Sequence, residues 1–243
     1  MGKIIAVYGS PGSGKTSLSL MLARELYLKA SDKGKVVFLS TDLNVPSIGL
    51  IFPNYKPDEI GTLSAVLDST DISENNLLKN SVTIKSLNNF CCLGFKSGDN
   101  RYSFPVPTQN KLNSMFDILS EMSDYIVVDC SNDFSDSIAE TAKERADTLF
   151  RVITPDLKGV DWYASRRKTD NPEGRLIYDL LCITEKDLYS PTEDVRTKVE
   201  KFLEIIPYSF KLRQQMLDGQ LYEGVKDRAY LKAVDNLITA VRN

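Results

Sequence analysis

Short, uninterrupted apolar runs alternate along this chain with stretches in which apolar residues return every three or four positions. The first run, Ile4-Ile5-Ala6-Val7-Tyr8 after Lys3, predicts a buried strand, and residues 17–29 predict the helix that follows. A second β-rich run, residues 35–41, ends at Asp42. Residues 43–55 contain Pro46, Gly49, Pro53 and Asn54 and read as loop, with a helix expected from its cap Asp58 through Gly61 to Leu67. The polar stretch 68–80 reads as a short helix with turns, and 81–87 and 90–95 as two short strands before a turn at 96–100. The spacing of Leu112, Met115, Phe116 and Leu119 predicts a core-facing helix over 109–122, and Tyr125-Ile126-Val127-Val128-Asp129 a central strand. Beyond it come helices at 137–145, 157–168, 193–203, 210–218 and 226–242, and strands at 149–154, 176–184 and 204–207.

Strands alternating with helices predict an α/β fold: a mostly parallel central β-sheet with helices on both faces. No shift toward linker-like composition divides the sequence, so residues 1–243 are expected to form a single domain. The last helix carries Tyr230, Val234, Leu237, Ile238 and Val241 at helical spacing. It lacks the dense Lys/Arg face of a membrane-surface helix, so docking on the sheet is expected.

The punctuation between the first strand and helix carries the chemistry. Gly9-Ser10-Pro11-Gly12-Ser13-Gly14-Lys15-Thr16 matches G-x-x-x-x-G-K-[ST] in the strand–loop–helix setting that the pattern requires. Glycines 9, 12 and 14 let successive backbone N–H groups point inward, a nest for phosphate oxygens at the positive end of the next helix. Lys15 would reach the β- and γ-phosphates, and the Thr16 hydroxyl would join a Mg²⁺ shell, with Ser17 completing the nucleotide-binding stretch. Asp129, ending a strand buried on both faces, is the expected second metal-shell residue, as in a Walker B element. Asp42 also ends a strand, in the crevice where open α/β sheets bind ligands; a turn or cap aspartate is the other reading.

Composition narrows the chemistry. None of the 243 residues is histidine, which removes the commonest general base and any Ser-His or Cys-His nucleophile pair. The four cysteines, Cys91, Cys92, Cys130 and Cys182, lack C-x-x-C spacing, and Cys91 and Cys92 read as small buried hydrophobes. A net charge of −3 does not support a broadly basic nucleic-acid-binding face. Arg166-Arg167-Lys168, with Arg175 nearby, is the compact basic cluster, read as a solvated helix end in preference to a contact for an acidic partner or nucleic acid. No apolar run approaches the ~20 residues of a membrane span, and the first residues enter a strand without a signal-like preamble, so a cytoplasmic protein is expected.

Together these motifs resemble the MinD/ParA class of P-loop ATPases over nearly the whole chain. Residues 37–42 resemble the family's second strand, whose closing aspartate, here Asp42, helps place the attacking water and the metal. Residues 125–129 resemble its Asp-terminated strand. Residues 146–155 resemble its A-D…V-x-T-P segment, and Ile206-Pro207 followed by Gly219 its IP…G segment near adenine. Three positions depart: Ser10 stands where the family's second loop lysine reaches the partner's nucleotide, Ser40 replaces the first of two aspartates, and Thr184 stands at the adenine-reading Asn.

The resemblance implies an ATP/ADP- and Mg²⁺-dependent switch with slow hydrolysis. Lys15 and Asp42 would act in catalysis, and Thr16, Asp42 and Asp129 at the metal. A nucleotide-dependent homodimer and a protein partner of unspecified identity would follow from it. ATP over GTP rests on the likeness alone, since no N-K-x-D motif is present. The competing reading is an ATP-dependent metabolic enzyme on the same scaffold, a small-molecule kinase or ligase of the dethiobiotin synthetase type, with Arg101, Arg166 and Arg167 available to an acceptor.

Overall fold

A computed structural model of the chain describes residues 1–30, 34–55, 61–166, 176–186, 195, 197–199 and 201–242. Eight strands form one sheet: β1 (Lys3–Gly9), β2 (Val36–Ser40), β3 (Val82–Ile84), β4 (Leu87–Leu93), β5 (Tyr125–Asp129), β6 (Thr148–Ile153), β7 (Ile177–Cys182) and β8 (Glu204–Ile206). Their spatial order is β3-β4-β2-β5-β1-β6-β7-β8. Every neighbouring pair is parallel except β3–β4, an antiparallel hairpin whose register shifts between Thr83 and Ile84. The α/β reading of the sequence therefore holds.

Alternate residues of the central strands serve two cores. Ile5, Val7, Phe38, Val127 and Phe150 face one layer; Ile4, Ala6, Leu39, Ile126 and Val128 face the other. Burial on both sides explains why these strands are continuous apolar runs with no polar alternation. The first layer holds α1 (Lys15–Lys29) and the C-terminal helix Arg228–Arg242. The second holds α3 (Leu63–Asp68), α5 (Gln109–Met122) and α6 (Ser137–Arg145).

The C-terminal helix docks as expected, burying Tyr230, Val234, Leu237, Ile238 and Val241 against α1 and β8. Lys3 Nζ donates to the Val241 carbonyl (2.7 Å) and Arg242 to the Lys29 carbonyl (2.9 Å), fixing its end. No helix among the described residues is long and apolar enough to cross a membrane. All four cysteines are buried and free, and burial pushes the Cys91 thiol up to about 11, so they pack as small hydrophobes.

Some boundaries differ from the sequence reading. Within the expected loop lies a one-turn helix, α2 (Ile48–Ile51), because Ile48, Ile51 and Phe52 all find the first core. The helix α3 starts at Leu63, capped by Thr62, whose hydroxyl accepts from the Ala65 N–H; residue 58 lies outside the described residues. The polar stretch after it does hold a short helix, α4 (Glu74–Lys79). The two predicted strands meet across Lys85-Ser86, so the turn falls earlier than the polar pattern suggested. Of the helix expected over 193–203, the described residues include Val195 and Val199, both buried. Arg167, Lys168 and Arg175 of the basic cluster lie outside the described residues.

Candidate functional site

Parallel strands bring their C-terminal ends to one edge of the sheet, and the motifs converge there. The loop after β1 is held by backbone geometry that only glycine supplies. A Cβ on Gly9 would sit 2.1 Å from the Val152 carbonyl oxygen, and Gly12 and Gly14 have φ of +74° and +75°. Gly14 caps α1, and the first turn of that helix holds no acidic residue, so its positive end is uncompensated. Ser13 Oγ is buried without a partner, and Pro11 and Gly12 are exposed. A concave, electropositive loop of this kind fits phosphate oxygens.

Ser10, at the position where the resembling family has a lysine, turns inward. It is fully buried, and its hydroxyl accepts from the Thr154 N–H (3.3 Å) and lies 3.4 Å from Thr154 Oγ1. The loop is thereby tied to the end of β6. From there Thr154 Oγ1 donates to Asp156 (3.0 Å), which also accepts from the Gly159 N–H at the start of α7 (Leu157–Arg166).

Thr16 Oγ1 donates to Asp129 Oδ2 at 2.8 Å, and Ser40 Oγ to the same oxygen at 3.4 Å. The other oxygen, Oδ1, is buried with no partner. Burial raises the Asp129 carboxyl to about 6; the Lys15 charge and the Thr16 hydrogen bond oppose the shift, and the Asp42 charge adds to it. A buried hard oxygen lacking a partner, beside a hydroxyl and facing a phosphate loop, fits Mg²⁺, which takes one or two protein oxygens and completes its shell with phosphate and water. Among the described residues no group of three or more His, Cys, Asp or Glu side chains could hold a metal by itself.

Lys15 is largely buried, and Asn132 sits over it. With its amide oxygen toward the lysine, Asn132 accepts from Lys15 Nζ at 2.9 Å while its nitrogen donates to the Gly9 carbonyl. The strand expected to end at Asp42 stops at Ser40, so Asp42 lies in the loop beyond it, and its Oδ1 accepts from the Asn44 and Val45 N–H groups (3.0 and 2.9 Å), the turn role.

The segments after β2 and β5 are joined through one carboxylate. Asp136 Oδ2 accepts from Thr41 Oγ1 (2.6 Å) and Ser131 Oγ (2.7 Å), while Oδ1 caps α6 through Ile138 and Ala139. The Ser131 N–H donates back to Thr41 Oγ1 (3.0 Å). Burial raises the Asp136 carboxyl, against the pull of these donors. Past them lies a cavity of about 590 Å³ between Leu43, Phe95, Phe104 and Ile138, with Arg101 and Asp133 also lining it.

On the other side of the loop, Thr184 follows β7 and Pro207 follows β8 along the same edge. The Thr184 methyl and Cys182 Sγ each lie 3.6 Å from where a Gly14 side chain would begin. Ile206 is buried and its carbonyl accepts from the Ile183 N–H (2.9 Å), so that backbone group is spent on pairing β8 to β7. Ser17 follows Thr16 in the first turn of α1, half-buried. Sequence reasoning did not single out Asn132, Thr41, Ser131 or Asp136, and it met Thr154 only as part of the T-P segment, without its tie to Ser10. Asp136 had a local signal, as a capping aspartate before a predicted helix.

No protein-family model and no curated protein matches the sequence. Solved structures do. A ParA family ATPase from Chlorobium tepidum superposes with a TM-score of 0.77 at 14% identity, covering 98% of this chain and 99% of that one. The cell division ATPase MinD of Pyrococcus furiosus gives 0.73 at 22% identity, covering 100% and 99%. MinD from Pyrococcus horikoshii, solved with Mg-ADP, gives 0.74 at 20% identity, covering 99% and 96%. From β1 to the C-terminal helix, this chain has the fold of the MinD/ParA P-loop ATPases.

Proposed function

We propose that the chain acts as one Mg²⁺-dependent, ATP-binding domain that hydrolyses ATP slowly and uses the bound nucleotide to position or recruit a protein partner. The observation that carries the reading is the convergence of Lys15, Thr16 and Asp129 beneath a glycine loop at a bare helix N-terminus. The loop N–H groups and Lys15 hold the phosphates, and Thr16 and Asp129 hold the metal. A Mg²⁺ ion held by Thr16 and Asp129 would supply charge neutralisation to the phosphates. Asp42, released from its turn, orients the attacking water. With no histidine in the chain, catalysis rests on positioning and electrostatics, which suits slow turnover. Thr184 and the Ile206-Pro207 segment flank the base, and Ser17 completes the phosphate contacts.

The switch consists of the segments 41–45 and 130–136, tied through Asp136. Solution mass by light scattering tests it, on an Asp42→Ala protein that holds ATP uncleaved. A shift from monomer to dimer with ATP and Mg²⁺, absent with ADP, supports a nucleotide-driven homodimer formed without a lysine at position 10. The same mass under all conditions contradicts it.

One observation favours the metabolic alternative: Arg101 lines the cavity beside the same switch residues, where it could meet an acidic acceptor. A phosphorylated or ligated product from a panel of small carboxylic acids and amines would establish that alternative.

A further inference from the structure

Asn132 belongs to no motif, yet it lies against the lysine of the phosphate loop. With its amide oxygen toward the lysine, it bridges Lys15 Nζ and the Gly9 carbonyl, the two ends of the phosphate loop. Lys15 is 8% exposed, so a phosphate reaching its Nζ must share that buried ammonium, with its three donors, with an acceptor already at 2.9 Å. Resting on the nucleotide reading above, we infer that Asn132 is a positioning residue that competes with phosphate for Lys15, and that its displacement is how phosphate binding is transmitted to residues 130–136.

The far side of that segment makes the inference more than local. Ser131 beside Asn132 is bonded to Thr41 and Asp136, so a displaced Asn132 pulls on the segment after β2 as well. Two residues further on, the exposed Phe134 ring lies under the Arg166 guanidinium of α7, 3.4 Å from ring centroid to Cζ. Arg166 also lies 5.9 Å from the ring centroid of Trp162, the one tryptophan in the chain. The Lys15 clamp, the Asp136 tie and the α7 stack are thus successive contacts of one short segment. Trp162 sits at its end as a built-in reporter.

Removing a competitor for Lys15 tightens phosphate binding. For Asn132→Ala, the affinity for both ADP and ATPγS, read with a fluorescent nucleotide and Mg²⁺, rises by roughly tenfold, the scale of one hydrogen bond to a charged group. Nucleotide changes the Trp162 emission of the wild-type protein; Asn132→Ala shows the changed emission from the start, and nucleotide moves it little further. Asn132→Asp, which holds Lys15 more firmly, weakens binding; opposite signs at one position do not arise from misfolding. If the wild-type protein binds nucleotide but Asn132→Ala binds equally or more weakly with unaltered emission, the inference is overturned and the nucleotide site stands. If the wild-type protein shows no saturable binding, the functional reading itself fails and the inference with it.

Discussion

Thr16 Oγ1 and Asp129 Oδ2 lie 2.8 Å apart although 113 residues separate them in the chain. The contact forms because β1 and β5 are parallel neighbours, with Val7 paired to Asp129, so the helix that starts after β1 meets the end of β5. What the contact leaves exposed to chemistry is the second carboxylate oxygen, buried and without a partner. A buried carboxylate oxygen of this kind is suited to a cation.

That geometry has a pH consequence. The Asp129 carboxyl, ordinarily near 3.8, is raised to about 6 by burial, so in the absence of metal the folded chain holds its proton more tightly than the unfolded chain. This contribution to stability is fullest below pH 4, declines as pH rises toward 6, and is gone above it. The ionised carboxylate costs up to about 3 kcal/mol there. Without Mg²⁺, Asp129→Asn should therefore unfold at a higher temperature than wild type at pH 7, with the gap closing toward pH 4, while losing Mg²⁺-dependent nucleotide binding. A lower melting temperature at pH 7 would show that the carboxylate is not a strained group.

Gly9→Ala should damage stability as well as binding. Its Cβ would meet the Val152 carbonyl oxygen at 2.1 Å, and the obstacle is the backbone of a central strand, which cannot swing aside. A loss of roughly 1–3 kcal/mol in denaturant unfolding is expected, with nucleotide affinity reduced because β1 must shift to relieve the clash. An unchanged unfolding midpoint would mean that β1 and β6 separate more easily than their pairing implies.

Asp136→Ala should loosen two distant segments at once. It removes the α6 cap, worth about 1–2 kcal/mol, and leaves the Thr41 and Ser131 hydroxyls without their acceptor. Amide hydrogen exchange should accelerate both at 41–45 and at 131–139. Acceleration confined to the first turn of α6 would show that Asp136 is a cap and nothing more.

The parts of the site that could be read from sequence were those with a local signature. A glycine loop between a strand and a helix, and a four-residue apolar run ending in Asp129, are visible because burial on both faces of a parallel sheet forces consecutive apolar residues. The docking of the C-terminal helix was legible for the same reason, from its apolar stripe. Asn132 and the Thr41–Asp136 pair were not, because an amide or hydroxyl in a loop has no period. Their partners, Lys15 and Thr41, lie about 90 residues or more away, and only the strand order brings them together. Asp42 lies two residues past the end of β2, and that its carboxylate turns to its own loop depends on two backbone N–H groups that no pattern reveals. Likewise α2 formed where Pro46, Gly49 and Pro53 signalled loop, because three apolar side chains reached the core and burial outweighed propensity.

The central claim is that the loop around Lys15 binds ATP with Mg²⁺. Titration of a fluorescent ATP analogue into the wild-type protein and Lys15→Ala, each with Mg²⁺ and with EDTA, tests it most directly. The account predicts saturable binding by the wild-type protein that weakens at least tenfold in EDTA and in Lys15→Ala, since the lysine is the one side-chain cation in the loop. Equal binding by both proteins, or no saturable signal from either, would contradict it.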